Sequence, residues 1–191
     1  NDFLAAHGVE YGLAKGYGMT EVSSAATAAS GLANKVGSVG IPLVNTLVSV
    51  FEPGTDTELP IGERGELCIS GPAIMKGYYG KPAETAAVMH KHPDGRIWVH
   101  TGDIGYMDED GFVFLDSRIK RMIIRHDGFK VFPSMIENVI SRHPAVQQCS
   151  VVGCTDKDHV QGRLPFVYVV LDPAADHKKR QIVRELQQIC K

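Results

Sequence analysis

The chain has 191 residues, 43% of them hydrophobic and 22% charged, which is the composition of an ordinary soluble globular protein and excludes a disordered or fibrous one. Twenty Lys and Arg against 22 Asp and Glu leave a formal charge of -2, so no broad basic face is expected for a polyphosphate backbone and nucleic acid is not an expected partner. No apolar run approaches the roughly 20 residues of a membrane-spanning helix and no signal segment opens the chain, so the cytoplasm is the expected compartment.

Asn1 or Asp2 can cap a short helix that Gly8 ends. A glycine-broken turn, GYGMTE, follows at 16–21, and the small, polar residues 22–35 read as a mobile loop too weakly apolar to join a core. Between Val36 and Asp116 the runs LVSVFE (47–52), GELCIS (65–70), RIWVH (96–100) and FVFLD (112–116) read as strands, with a helix over 82–89 opened by Pro82 and a tight turn at Asp110-Gly111. A boundary is placed after Arg118. Beyond it, RMIIR and GFKVF form a hairpin, and a helix follows in which Ser134 and Glu137 stand at capping-box spacing and Met135, Ile136, Val139 and Ile140 share a face. Two strands, CSVVGC and PFVYVVL, lead to a last helix with Ile182, Val183, Leu186, Ile189 and Cys190 on one side. The fold class is α+β: a β-rich distorted barrel over about 36–116, then a small α+β domain over 119–191.

Neither a Walker-type nor a Rossmann phosphate loop is present. Polar clusters elsewhere can hold a nucleotide. In GYGMTE, Gly16 and Gly18 allow the backbone to pass close to a ligand, Tyr17 offers a flat face, Thr20 a hydroxyl and Glu21 a carboxylate suited to Mg²⁺, while a turn with a capping threonine explains the same residues without a ligand. Asp103, at the end of a β run, can accept two hydrogen bonds from a sugar diol or make an Asx turn. Arg118 and Lys120 can reach a ribose or phosphate, or simply be solvated. Glu137 is accounted for by its capping box. His90, His92 and His100 lack helical ligand spacing, and Cys149, Cys154 and His159 form no standard motif, so no metal site is expected from either group. Trp98 reads as a core aromatic.

Taken together and in order, GYGMTE, GELCISGPAIMKGYYGKP, WVHTGD and DSRIKRMIIRHDGFKVFPSMIE resemble the fifth to eighth core motifs of the adenylate-forming superfamily of acyl-CoA synthetases, peptide-synthetase adenylation domains and luciferases. The resemblance covers roughly residues 16–137 and extends more weakly to the tail. It implies that Tyr17, with Gly18 beside it, stacks on adenine, Thr20 contacts the α-phosphate and Glu21 helps hold Mg²⁺. It further implies that Asp103 and Arg118 bind the ribose, Gly16 and Met19 line part of the acyl pocket, Lys120 is the hinge of the small domain, and Gly128 approaches the pantetheine arm of coenzyme A. The substrates so implied are ATP, a carboxylic acid and coenzyme A, with AMP as product.

Three departures accompany the matches. The family's Ser/Thr/Gly-rich triphosphate loop and its C-terminal PKTxxGK-like lysine motif do not occur within residues 1–191, and the loop RHDGFKV is one residue longer than the family spacing. The expectation is a C-terminal portion, inactive alone, of an acyl-CoA synthetase. The alternatives are a peptide-synthetase adenylation domain and a non-catalytic nucleotide- or partner-binding remnant. The first thirty-odd residues are expected to be disordered or to form an intermolecular contact, such as a homo-oligomer through the truncated face.

Overall fold

The computed structural model describes residues 2–8, 13–30, 33–159 and 161–190. They form two compact units, Asn1–Leu115 and Asp116–Lys191.

In the first unit, α1 (Asp2–Ala6) is followed by Gly8 at φ 76°, the left-handed stop its sequence foretells; the Asn1 cap lies outside the described residues. Strands β1 (Gly16–Tyr17), β2 (Thr27–Ala28) and β3 (Ile41–Pro42) form an antiparallel sheet in that order. The expected mobile loop is corrected here. Val22, Ala26, Thr27 and Ala29 are buried, and Val22 and Ala26 join the main core. Small side chains are what the packing demands: a Cβ on Gly40 would stand 2.0 Å from the Ala28 backbone, so the chains are too close for larger residues. Val22 and residues 26–29 thus pack within their own unit, whereas Phe3 and Leu13 are exposed.

A five-stranded antiparallel sheet carries the rest, built from β4 (Leu47–Phe51), β5 (Gly65–Ser70), β6 (Met89–Lys91), β7 (Ile97–Met107) and β8 (Val113–Arg118), with α2 (Pro82–Val88) leading into β6. Its order is β4-β5-β7-β6, and β8 also pairs β7. All four expected strand runs and the helix are present. Alternation assigns Val48, Val50, Leu67, Ile69 and Val99 to one buried face, packed with Val22, Val39 and Val113. The opposite face gathers Phe51, Cys68 and Trp98 into a second cluster. The Asp108–Phe112 turn, with Gly111 at φ 81°, makes the β7–β8 hairpin.

In the second unit, β9 (Ile123–Ile124) pairs with β10 (Lys130–Val131), α3 (Pro133–Ile140) follows, and β11 (Val146–Thr155) forms a long hairpin with β12 (Arg163–Leu171) before α4 (Lys179–Ile189). The two apolar helix faces are narrower than their sequences suggest. Ile136 and Ile140 meet Ile182 and Leu186 in the core, whereas Met135 and Val139, and Val183 and Ile189, remain exposed. The capping box is absent. Phe132 occupies the N-cap without a side-chain bond, Ser134 Oγ is buried with no partner, and the Glu137 carboxylate pairs with Arg121 and accepts the Val151 N–H at 2.9 Å. Pro133 explains the difference by starting the helix one residue before Ser134, so that Ser134 already lies inside the first turn and Phe132 takes the N-cap position.

Candidate active site

Two motifs 86 residues apart meet through one hydrogen bond, in which the Tyr17 hydroxyl donates to Asp103 Oδ2 at 2.7 Å. Tyr17 ends β1. Gly18 then passes so close to the next loop that a Cβ there would lie 1.7 Å from Ser24 O. Asp103 is not at the end of a strand as expected but in the middle of β7, at an irregularity where the register against β5 changes between the Glu66–Ile104 and Cys68–His100 pairs. Thr101 Oγ1 donates to Leu67 O at 2.7 Å and accepts the Asp103 N–H at 3.0 Å, while Gly102 supplies φ 71° and donates its N–H to Glu66 Oε1 at 2.9 Å. The sequence HTGD is therefore a pinned bulge, and bulges re-aim side chains. The aimed side chain is Asp103, which is buried with its residue 7% exposed.

A third motif arrives at Glu21. Thr20–Val22 form a 3-10 turn that leaves Thr20 exposed, and Glu21 Oε1 accepts a 2.6 Å hydrogen bond from the Tyr78 hydroxyl. Met75 N–H donates to Glu21 O at 2.7 Å and Ser23 Oγ to Ala73 O at 2.8 Å, so residues 73–78 hold the turn in place. The Glu21 carboxylate beside it holds the Tyr78 phenol above its ordinary range, keeping the phenol a donor. A carboxylate oriented through one oxygen, next to an exposed hydroxyl, suits a hard divalent cation. Tyr78 was not among the residues singled out from sequence, although the GYYG run of the second motif carries it. Of the expected acyl-pocket residues, Gly16 is exposed and Met19 packs against the core.

In the second unit, Arg118 ends β8 and Lys120 lies in the 3-10 turn Ile119–Arg121, both exposed. Gly128 stands at φ 79° in the β9–β10 turn, its N–H donating to Arg125 O at 3.0 Å, and nothing lies within 4 Å of the Cβ it lacks. Asp127 Oδ1 accepts the Phe129 N–H at 3.1 Å, which holds its carboxyl below the usual range. Cys149 and Cys154 go to backbone carbonyls at Glu137 and Leu164. His159 instead stacks on His126, ring centroids 3.6 Å apart, and both rings face Asp156 Oδ2, at 3.0 and 3.6 Å. Pairing of β6 with β7 sets the three histidines near β7, His90, His92 and His100, on one sheet face beside Asp56.

A mixed α+β fold with a curled, largely antiparallel sheet is shared with adenylate-forming enzymes, and the chain belongs to the adenylate-forming, AMP-binding enzyme family. The AMP-binding enzyme family matches residues 2–79 and the AMP-binding enzyme C-terminal domain matches residues 135–191. A 4-coumarate–CoA ligase-like protein of Oryza sativa is 38% identical over 172 residues, which are 87% of this chain and 30% of the relative. ATP-bound MatB of Rhodopseudomonas palustris aligns with a TM-score of 0.76 at 34% identity, covering 86% of this chain and 31% of that one. The o-succinylbenzoate CoA synthetase of Bacillus subtilis, in complex with the acyl-adenylate intermediate OSB-AMP, aligns with a TM-score of 0.76 at 30% identity over 96% of this chain and 36% of its own. The chain thus spans about a third of the length of these relatives.

Proposed function

We propose that residues 1–191 are part of an ATP-dependent acyl-CoA synthetase, which activates a carboxylic acid as acyl-AMP and passes the acyl group to coenzyme A. The observation that supports this reading is the 2.7 Å hydrogen bond from Tyr17 to the buried Asp103, because an aromatic ring beside a buried carboxylate suits a base and a sugar diol. In this reading Tyr17 stacks on adenine, Asp103 and Arg118 take the ribose hydroxyls, and Thr20 donates to the α-phosphate. Glu21, held by Tyr78, would carry Mg²⁺, whose charge offsets that developing on the phosphoryl oxygens. Carboxylate attack at the α-phosphorus forms the P–O bond of the mixed anhydride as the bond to pyrophosphate breaks, and thiol attack on the activated carbonyl later expels AMP. Lys120, beside the unit boundary, suits a hinge that exchanges the groups around the site between these half-reactions. Gly16 and Met19 border the acyl side and Gly128 the pantetheine arm.

The chain on its own is proposed to be inactive, since no triphosphate loop occurs in its sequence. Two measurements test the reading. Pyrophosphate exchange with the 191-residue chain is expected to show no turnover, and measurable exchange would overturn the claim of inactivity. Calorimetric titration with AMP is expected to show weak binding that Asp103→Ala and Tyr17→Ala each abolish, and equal binding by all three proteins would overturn the site assignment.

A further inference from the structure

The sheet face opposite the main core collects an unusual set of side chains. Antiparallel pairing of His90 with Trp98 puts His90, His92, Trp98 and His100 on one face of β6 and β7, and the Cys68–His100 pair extends that face to β5. The turn after β4, closed by the Glu52 N–H donating to Thr57 O at 2.9 Å, brings Asp56 over the same face. Asp56 Oδ1 lies 3.3 Å from His92 Nε2, 3.5 Å from His90 Nδ1 and 4.0 Å from His100 Nε2, and the two Nε2 atoms are 3.0 Å apart. Four ligand atoms, one per residue, fall within 4.8 Å of one another. In a tetrahedral zinc site with bonds of about 2.0–2.1 Å, neighbouring ligand atoms stand roughly 3.3 Å apart. These four separations bracket that edge, and the other two ligand pairs lie within 4.8 Å.

Further features prepare the site. His100 Nδ1 is 2.9 Å from Glu66 Oε2, and a carboxylate accepts only from a protonated nitrogen, so His100 turns its Nε2 lone pair toward the cluster. This is the carboxylate–histidine arrangement that orients metal-bound imidazoles. Phe51 stands edge-on to the His92 ring at 4.6 Å and 85°, limiting its rotation. His92 and His100 are buried, while Asp56 and His90 are on the solvent side and leave a path of entry. Three imidazoles and one carboxylate select a borderline transition ion over Mg²⁺ or Ca²⁺, which prefer all-oxygen shells.

We infer that Asp56, His90, His92 and His100 form a structural site for a zinc-class divalent cation, clamping the 52–57 turn onto the β6–β7 hairpin, with Glu66 as the positioning residue of His100. None of its four residues is among those assigned to the nucleotide or to Mg²⁺, although Glu66 also accepts the Gly102 N–H of the Asp103 bulge at 2.9 Å. Titration of the full 191-residue chain with Co²⁺ tests it: the expected result is the visible d–d absorption of tetrahedral cobalt at one equivalent, abolished by Zn²⁺ and insensitive to Mg²⁺. Asp56→Asn, at an exposed turn, and His90→Ala are expected to weaken the Co²⁺ affinity at least about tenfold, and Glu66→Gln by about 10- to 100-fold, while His159→Ala in the second unit leaves it unchanged. Histidine nitrogen NMR of the unmutated chain supplies a readout independent of variant folding, since Zn²⁺ should shift His92 Nε2, His100 Nε2 and His90 Nδ1. Absence of tetrahedral bands, bands that follow His159 instead, or nitrogen signals unmoved by Zn²⁺ would each overturn the inference.

Discussion

Tyr17 shows how one side chain can join distant parts of a sequence. Its hydroxyl donates to a buried carboxylate, and hydrogen bonds to charged groups contribute about 1.5–3 kcal/mol. Tyr17→Phe is therefore expected to lower stability by about 1.5 kcal/mol or more, read as a shift in the urea midpoint at constant slope. Gly18 is restricted by space alone: Gly18→Ala would press a methyl into the Ser24 carbonyl and is expected to cost about 1–3 kcal/mol, a loss absent from Gly54→Ala if crowding is the sole cause, since nothing lies within 4 Å there. Gly54, however, has φ 78°, so the comparison must first subtract the left-handed penalty measured at Gly62→Ala, an equally open site at φ 88°. Lys35 makes a clamp with Asp108 at 2.5 Å and Asp110 at 2.9 Å, tying the loop before Val36 to the β7–β8 turn. The bonds to Asp108 and Asp110 raise the Lys35 ammonium above its usual range, and Lys35 in turn holds Asp108 below its own. A raised lysine stabilises below its unfolded value of about 10.4 and loses that contribution as pH rises further; a depressed aspartate stabilises above about 3.9 and loses it as pH falls. The difference in melting temperature between the parent chain and Lys35→Met should thus be flat between these limits and shrink outside them.

The bulge in β7 and the start of α3 show elements recruiting residues that a linear pattern assigns elsewhere. In HTGD, Thr101 and Gly102 form the kink and Asp103 is the side chain it aims. In α3, Ser134 does no capping and Glu137 serves β11, where it accepts the Val151 N–H. Removing an unpartnered buried hydroxyl while adding the best helix former makes Ser134→Ala neutral or stabilising by up to about 1 kcal/mol. A true capping serine would instead cost about 0.5–2 kcal/mol on the same change. Glu137→Ala, by contrast, strips an acceptor from a backbone N–H of a strand residue that is 2% exposed, and is expected to cost about 1–3 kcal/mol in equilibrium unfolding.

Across the whole chain, each unit has a core of its own: Val48, Leu67, Ile69, Val99 and their neighbours in the first, Ile140, Ile182 and Leu186 in the second. Leu67, fully buried on β5 between β4 and β7, is the most sensitive test of the first core. Leu67→Ala is expected to remove about 2–5 kcal/mol of amide-exchange protection from β5 and β7 and to leave β11 and β12 unaltered. A loss spread equally over both units would show that they unfold as one. Among the described residues no helix is long and apolar enough to cross a membrane.

Much of this molecule is legible in its order of residues, because the strands of β4, β5, β7 and β8 and the helices α2, α3 and α4 rest on local alternation, helical periodicity and Pro and Gly signals that act within a few positions. The four ordered motifs likewise identify the family without coordinates. The residues that small size disguised as a loop at 22–30, the exchange of a capping box for an Arg121–Glu137–Val151 contact, Tyr78 against Glu21, and the gathering of Asp56 with three histidines were decided by tertiary structure alone. Each depends on which strand lies beside which and in what register. Pairing of β6 with β7 puts His90, His92 and His100 on one face, and Asp56, 34 positions before the first of them, joins only through the fold.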